Sequence, residues 1–176
     1  MKNIVVVYKT KYGTTKQYAQ WIAEELNSSI FEASEVKPSR LKNYDIVIFG
    51  GGLYAGGVIG SKLVAENPCN SLIVFTVGAA DPNDTDYSEI LAKNFSQELL
   101  SGIKVFHLRG GIDYTKLSLV HKGMMAMLKK MVLKSTKQNE AEISSEDKLF
   151  LETYGGKVDF TNRETIKPLI DYVRAL

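Results

Sequence analysis

Five short apolar runs recur along the chain, separated by stretches with helical periodicity. The first, residues 4–8, is rich in β-branched residues without polar alternation, which is typical of a strand buried on both faces. The alternation predicts βαβ units, and hence a doubly wound α/β fold whose five-stranded parallel sheet has the order 2-1-3-4-5. The predicted strands are residues 4–8, about 29–32, 45–49, 72–77 and 104–108, and the predicted helices are residues 14–27, 59–67, 87–101 and roughly 162–175.

The segment from about residue 110 to 160 is too long for an ordinary connection between a strand and a helix. We predict that it is an insertion before the last helix, within a single domain that covers residues 1–176. For the last helix, Thr161 and Glu164 predict a capping box, and Pro168 predicts a kink or a late start.

Within this insertion, residues 118–134 carry an apolar stripe flanked by lysines at helical spacing. A basic amphipathic helix of this kind can lie on an anionic membrane or dock a partner, whereas packing on the domain with the lysines in water is the commoner case. The stripe consists of Leu117, Val120, Met124, Met127, Leu128 and Met131, and the lysines are Lys122, Lys129, Lys130 and Lys134. A shorter helical pattern follows at residues 147–153.

The turn after the first strand is rich in hydroxyl groups and leads directly into a helical pattern. The first N–H groups of a helix have no internal partner, and the helix dipole adds partial positive charge there, so this turn predicts an anion site. Hydroxyl groups add donors, and a glycine lets the backbone close on a phosphate. The alternative is an ordinary turn in which a threonine only caps the helix. The residues concerned are Thr10, Lys11, Tyr12, Gly13, Thr14 and Thr15.

The pattern T-x-Y-G-x-T at residues 10–15 resembles the phosphate loop of the flavodoxins, which is usually [ST]-x-T-G-x-[ST]. The resemblance implies a flavodoxin-like fold and FMN as the cofactor, with the FMN phosphate held by this loop. Tyr12 stands where the family has a threonine, so one side-chain donor is lost, although the backbone N–H of Tyr12 can still serve.

A run of glycines follows the third predicted strand, at residues 50–57. We predict that it is a loop whose backbone approaches the flat flavin ring and that Tyr54 stacks on that ring, an interaction of about 0.5–1.5 kcal/mol beyond burial. The alternative is a turn in which Tyr54 only covers the end of the sheet. The predicted flavin-binding residues here are Gly51, Gly52, Leu53, Tyr54, Ala55 and Gly56.

The loop after the fourth predicted strand contains Val77, Gly78 and Ala79. The resemblance to flavodoxins implies that their backbone N–H groups border the pyrimidine edge of the flavin.

Three other nucleotide or phosphate sites are disfavoured by the sequence. Gly50, Gly52 and Ala55 match the dinucleotide fingerprint G-x-G-x-x-[GA], but two glycines at 56 and 57 interrupt the helix that this motif must open. A Walker A loop is absent, because no strand is followed by Gly-Lys-Ser/Thr. A receiver domain needs an aspartate at the end of the third strand, where this chain has Gly50.

Composition adds further constraints on function. The net charge of +2 is too small to indicate nucleic-acid binding, and we predict none. One cysteine and two histidines give no disulfide framework and no recognisable metal site. No signal peptide or membrane span is recognisable, so we expect a cytoplasmic protein.

The insertion and the C-terminal part resemble a narrower group of proteins. GGIDYTKLSLVHKGMMAMLKKMV followed by VDFTNRETI is similar to the flavodoxin-type, menaquinone-dependent protoporphyrinogen IX dehydrogenases of bacteria. This resemblance implies an FMN-dependent oxidoreductase with a quinone as acceptor, peripheral to the inner membrane face. Two alternatives remain open: a flavodoxin-type electron carrier between protein partners, and an interaction module that binds no flavin.

Overall fold

A computed structural model of the protein describes residues 2–138 and 145–176. The strands are β1 Ile4–Lys9, β2 Ser29–Glu32, β3 Ile46–Tyr54, β4 Gly57–Val58, β5 Leu72–Gly78, β6 Lys104–Arg109, β7 Gly111–Asp113 and β8 Lys157–Asp159. The α-helices are α1 Thr14–Leu26, α2 Lys62–Ala65, α3 Ser88–Asn94, α4 Gln97–Gly102, α5 Leu119–Gln138, α6 Ser145–Thr153 and α7 Lys167–Ala175. Short 3-10 helices cover Ala33–Glu35, Pro38–Asn43, Tyr114–Lys116 and Arg163–Ile166.

The chain divides into two compact units, Met1–Gly110 with Phe160–Leu176 and Gly111–Asp159. The first unit contains a sheet in which β2, β1, β3, β5 and β6 lie side by side and parallel, and the two-residue β4 pairs antiparallel with the end of β3. The predicted order 2-1-3-4-5 is confirmed, with β5 and β6 as the fourth and fifth parallel strands. That residues 1–176 form a single domain stays a prediction.

Alternating residues of the central strands face opposite sides of the sheet, and both sides are buried. Val6 packs in one core with α1 and α7, while its neighbours Val5 and Val7 pack in a second core on the other face. This arrangement explains why β1 reads as a continuous apolar run rather than as an alternating one.

Two of the predicted helices are interrupted or shortened. The helix predicted over residues 87–101 is broken at Phe95, and α4 begins after Ser96, whose side chain accepts a hydrogen bond from the Leu99 N–H. The helix predicted over residues 59–67 shortens to the single turn of α2.

The predicted capping box at Thr161 is wrong. The N-cap is Asn162, whose side chain accepts a hydrogen bond from the Glu164 N–H and begins a 3-10 turn. The α-helix starts only at Lys167, with Pro168 in its first turn, so the predicted late start is confirmed. Proline suits this position because the first-turn N–H groups have no acceptor within the helix.

The second unit combines a short antiparallel pair, β7 and β8, with α5 and α6. Phe150, Tyr154 and Tyr114 form an aromatic cluster, and the Lys129 ammonium lies 4.2 Å from the centre of the Tyr154 ring. None of the described helices, in either unit, is both long and apolar enough to cross a membrane.

Candidate functional site

The turn between β1 and α1 is built around a left-handed glycine. Gly13 has φ +99°, in the left-handed region, and its N–H donates to Thr10 Oγ1 at 3.0 Å. The helix that follows has no side-chain cap and no acidic residue in its first turn. Its earliest backbone hydrogen bond joins the Gln17 N–H to the Gly13 carbonyl, at 3.1 Å. The preceding amides therefore lie at a positive helix end that suits an anion.

The two threonines that begin α1 connect this turn to neighbouring strands. Thr15 is buried, at 2% exposure, and a Cβ built on Gly52 would lie 3.2 Å from its hydroxyl oxygen. A Cβ on Gly110 would lie 3.2 Å from the hydroxyl oxygen of Thr14. The predicted loop thus packs directly against the carboxyl ends of β3 and β6. That both hydroxyl groups contact a phosphate stays a prediction.

The glycine run is a strand rather than the predicted loop. Gly50, Gly51 and Gly52 lie within β3 and pair in register with β5. A Cβ on Gly50 would lie 2.1 Å from the ring of Phe75, and one on Gly51 would lie 2.3 Å from a methyl group of Val58. The first two glycines therefore allow close packing inside the protein, and ligand approach is not needed to explain them.

The true turn is shorter and lies further along the chain. Leu53 and Tyr54 complete β3, and Ala55 and Gly56 then turn with φ +48° and +76° before β4 returns. A left-handed alanine is unusual because its Cβ crowds the backbone there. The turn is exposed, so the predicted approach of Ala55 and Gly56 to a ring stays a prediction.

Tyr54 sits in a cluster with two residues of the first turn. The Lys11 ammonium lies 3.9 Å from the centre of the Tyr54 ring, which is cation–π geometry. Burial and the neighbouring Tyr54 raise the pKa of the Tyr12 phenol. The turn after β1 and the end of β3, which were predicted to share only a ligand, are thus in direct contact. The sequence alone does not indicate this pairing, because residues 11 and 54 share no pattern.

Arg109 fixes the loop that follows β5, although it was not among the residues predicted from the sequence. Its Nε donates to the Ala79 carbonyl at 3.2 Å, and its Nη1 pairs with Asp81 at 3.1 Å. Its guanidinium also lies 3.9 Å from the centre of the Phe160 ring. A signal was available, because Arg109 directly follows the fifth predicted strand, at the ligand-binding edge of such a sheet.

The register of the sheet brings the candidate residues to one edge. Lys9 of β1 pairs with Gly51 of β3, and Gly52 pairs with Val77 of β5. Leu53 lies beside Gly78, the next residue of β5, because a Cβ built on Gly78 would lie 2.9 Å from the Leu53 side chain. The strand order reverses between β1 and β3, and open α/β sheets bind ligands at such a point.

His107 of β6 contacts Thr76 of β5 and the Tyr87 ring. His107 Nδ1 and Thr76 Oγ1 are 2.6 Å apart, and the imidazole stacks on Tyr87 with ring centres separated by 3.7 Å. Burial lowers the pKa of His107. Neither this cluster nor any other set of described residues brings together three or more side chains suited to hold a metal ion.

Comparisons with known proteins show the family of the chain. The chain matches the family model described as Flavodoxin domain over residues 5–139. It is 36% identical to an uncharacterized protein of Methanocaldococcus jannaschii over 56 residues, which span 32% of this chain and 37% of that protein. The match thus covers little more than a third of that relative.

Solved structures with similarity to the chain include two bacterial flavoproteins. Flavodoxin 2 of Bacillus cereus is 18% identical, covers 61% of this chain and 84% of its own, and has a TM-score of 0.46. A Lactobacillus acidophilus flavoprotein in complex with FMN is 15% identical, covers 62% of this chain and 93% of its own, and has a TM-score of 0.42. Because the family model covers most of the chain and the sheet has the expected order, the chain belongs to the flavodoxin domain family.

Proposed function

We propose that this protein is an FMN-binding oxidoreductase. The observation that carries the proposal is the meeting of a hydroxyl-rich helix N-terminus with Tyr54 at the point where the strand order reverses. Family membership supports the prediction that the cofactor is FMN. The resemblance to flavodoxins in the first turn, which the sequence analysis noted, points the same way.

The residues present fit such a cofactor. The turn from Thr10 to Thr15 offers hydroxyl and backbone donors to the phosphate, and α1 has no acidic residue in its first turn to repel it. Tyr54 offers an aromatic face to the ring, and the amides of residues 77–79 lie at the adjoining strand end. When bound, FMN supplies the redox chemistry, while the chain supplies orientation and electrostatics.

We infer further that the substrate is protoporphyrinogen IX or a similar reduced compound and that the acceptor is a quinone. The resemblance of the insertion and C-terminal part to menaquinone-dependent protoporphyrinogen IX dehydrogenases supports this inference. Each oxidation step removes two electrons and two protons from the substrate and reduces one quinone to the quinol.

An electron carrier between redox partner proteins is the second candidate, and family membership is equally consistent with it. Local charge favours the enzyme. Arg109 partly neutralises Asp81 in the loop after β5, and Lys11 adds a positive charge beside Tyr54. Negative charge around a flavin disfavours its anionic reduced form, so these cations should make the second electron easier to add.

The experiment that tests the function is anaerobic. The holoprotein is mixed with protoporphyrinogen IX, and then with a soluble menaquinone analogue, while flavin absorbance is followed. Rapid bleaching followed by recovery is the expected result.

A potentiometric titration separates the two candidates. Two closely spaced one-electron potentials fit the enzyme. A strongly negative second potential, with no bleaching by the porphyrinogen, would favour the carrier. A purified protein that releases no flavin on denaturation, and binds none when FMN is added, would contradict both.

A further inference from the structure

The predicted apolar stripe of α5 lies on the outside of its unit. The α5 stripe is defined here as five residues that fall within an arc of about 100° at 3.6 residues per turn. Leu117, which the sequence analysis placed in the same stripe, precedes the helix and is buried. The five members and their exposures are Val120 70%, Met124 45%, Met127 66%, Leu128 44% and Met131 58%.

A face of α5 that begins about 20° beyond the Leu128 edge of the stripe makes the contacts within the unit. His121 and Val132 are buried, and Lys129 packs over the Tyr154 ring near the end of α6. Lys129 projects about 150° away from the centre of the α5 stripe. The stripe therefore faces away from Tyr154, and a partner from outside the unit can reach it.

All the charged residues of α5 are lysines. Residues 119–138 contain lysines at 122, 129, 130, 134 and 137 and no Asp or Glu. Lys134 and Lys130 lie beside the α5 stripe, about 20° and 60° from its edge. Both lysines are exposed. An apolar arc with ammonium groups along one side is complementary to a surface that has an apolar layer beneath an anionic layer.

We propose that the α5 stripe docks on an anionic lipid surface. Methionine and leucine enter the acyl boundary, while Lys130 and Lys134 reach the phosphate groups of the lipids. Two copies of the chain would bring their lysines together on this face, so like charges oppose self-association. Between residues 119 and 134 the arc contains only apolar side chains, which suits acyl chains.

Docking through this surface would bring the proposed flavoenzyme to the membrane that holds the quinone. To that extent the inference rests on the proposed function and deepens it. Its test does not need the flavin, and either proposal can fail alone. The purified full chain is floated with vesicles of phosphatidylcholine alone or of phosphatidylcholine with roughly 30% anionic phosphatidylglycerol.

Four variants make the test specific. Met127→Ser with Met131→Ser removes apolar contact, whereas Met127→Leu with Met131→Leu keeps it. Lys130→Gln with Lys134→Gln removes two charges, and Lys42→Gln with Lys62→Gln removes two exposed charges from the other unit. Circular dichroism checks that each variant is folded.

The expected result is binding to the anionic vesicles that weakens in high salt. Each lysine near an anionic surface adds about 1 kcal/mol, so the Lys130/Lys134 variant should bind at least about tenfold more weakly. The serine variant should lose binding, and the leucine and Lys42/Lys62 variants should keep it.

Three results would overturn the inference. They are failure of the unaltered chain to float with anionic vesicles, undiminished binding by the serine variant, and equal losses in the two lysine pairs. Concentration-dependent dimers that the serine variant abolishes, without vesicle binding, would assign the surface to a second copy instead.

Discussion

Thr10 offers the sharpest test of the phosphate site, because its hydroxyl has one structural bond and one predicted ligand bond. Its oxygen accepts from the Gly13 N–H at 3.0 Å, so its own proton can be donated to a phosphate. Thr10→Ala removes both bonds. The Gly13 amide is exposed and can turn to water, so the loss in folding stability should stay below about 1.5 kcal/mol.

The loss in affinity should be larger and specific to the phosphate. A hydrogen bond to a charged group contributes about 1.5–3 kcal/mol, which corresponds to about a 10- to 100-fold weaker Kd for FMN. Riboflavin lacks the phosphate, and its affinity should change little. Isothermal titration of the apoprotein with both flavins measures the difference, and Thr10→Ser, which keeps the hydroxyl, is the matched control. Equal weakening of FMN and riboflavin would refute the assignment, because the substitution would then act through the shape of the turn.

Three further predictions concern the ring site and the core. Tyr54→Ala should shift the absorbance of bound flavin while Tyr54→Phe preserves it, and an identical spectrum in both would leave Tyr54 as a surface aromatic. Gly50→Ala should lower the free energy of unfolding by about 1–3 kcal/mol because its Cβ would meet Phe75 at 2.1 Å, whereas Gly123→Ala, in open space, should not; urea titrations compare them. Burial lowers the pKa of His107, so the unfolded chain binds that proton more readily. Stability should therefore fall as pH drops through about 6.5, and His107→Gln should flatten that decline in denaturation curves at pH 7.5 and 5.5.

The strands were predictable because their physical signal is local. A strand buried on both faces needs apolar residues at every position, and β1, β3 and β5 show that pattern directly. The parallel order then follows from the helices between them and from right-handed crossovers. Capping was harder to predict, since Thr161 and Asn162 are both good N-cap residues and only the path of the chain decides between them.

The glycine run shows where local interpretation fails. Glycine suits both a ligand loop and a tightly packed strand, and the difference depends on what lies across the sheet. Phe75 projects onto Gly50, and Val58 onto Gly51, from segments that the sequence alone cannot align with them. That the glycine run approaches a flavin stays a prediction, and the close packing of Gly50 and Gly51 is a role that the sequence alone does not reveal.

The residues that the sequence analysis missed act across long separations in the chain. Lys11 meets Tyr54, and Arg109 meets Ala79 and Asp81, through side chains whose partners depend on the register of the sheet. A single sequence gives the register only after the strand order is known. Such contacts lie beyond motif analysis even when every strand is identified.

Hydrogen bonds at the two ends of the insertion explain how the first unit can accommodate it. The Phe160 N–H donates to the Gly110 carbonyl at 3.2 Å, so the chain leaves the first unit and returns to it at adjacent points. The buried Tyr18 hydroxyl donates to the Arg109 carbonyl at 2.7 Å and accepts from the Asn162 N–H at 3.1 Å, which ties both sides of that junction to α1. Since closing a loop between fixed ends costs little more as the loop lengthens, residues 111–159 can vary in sequence and length while the sheet edge stays in place. The first unit thereby keeps the sheet edge where we predict that the flavin binds, and the second is free to acquire a surface of its own.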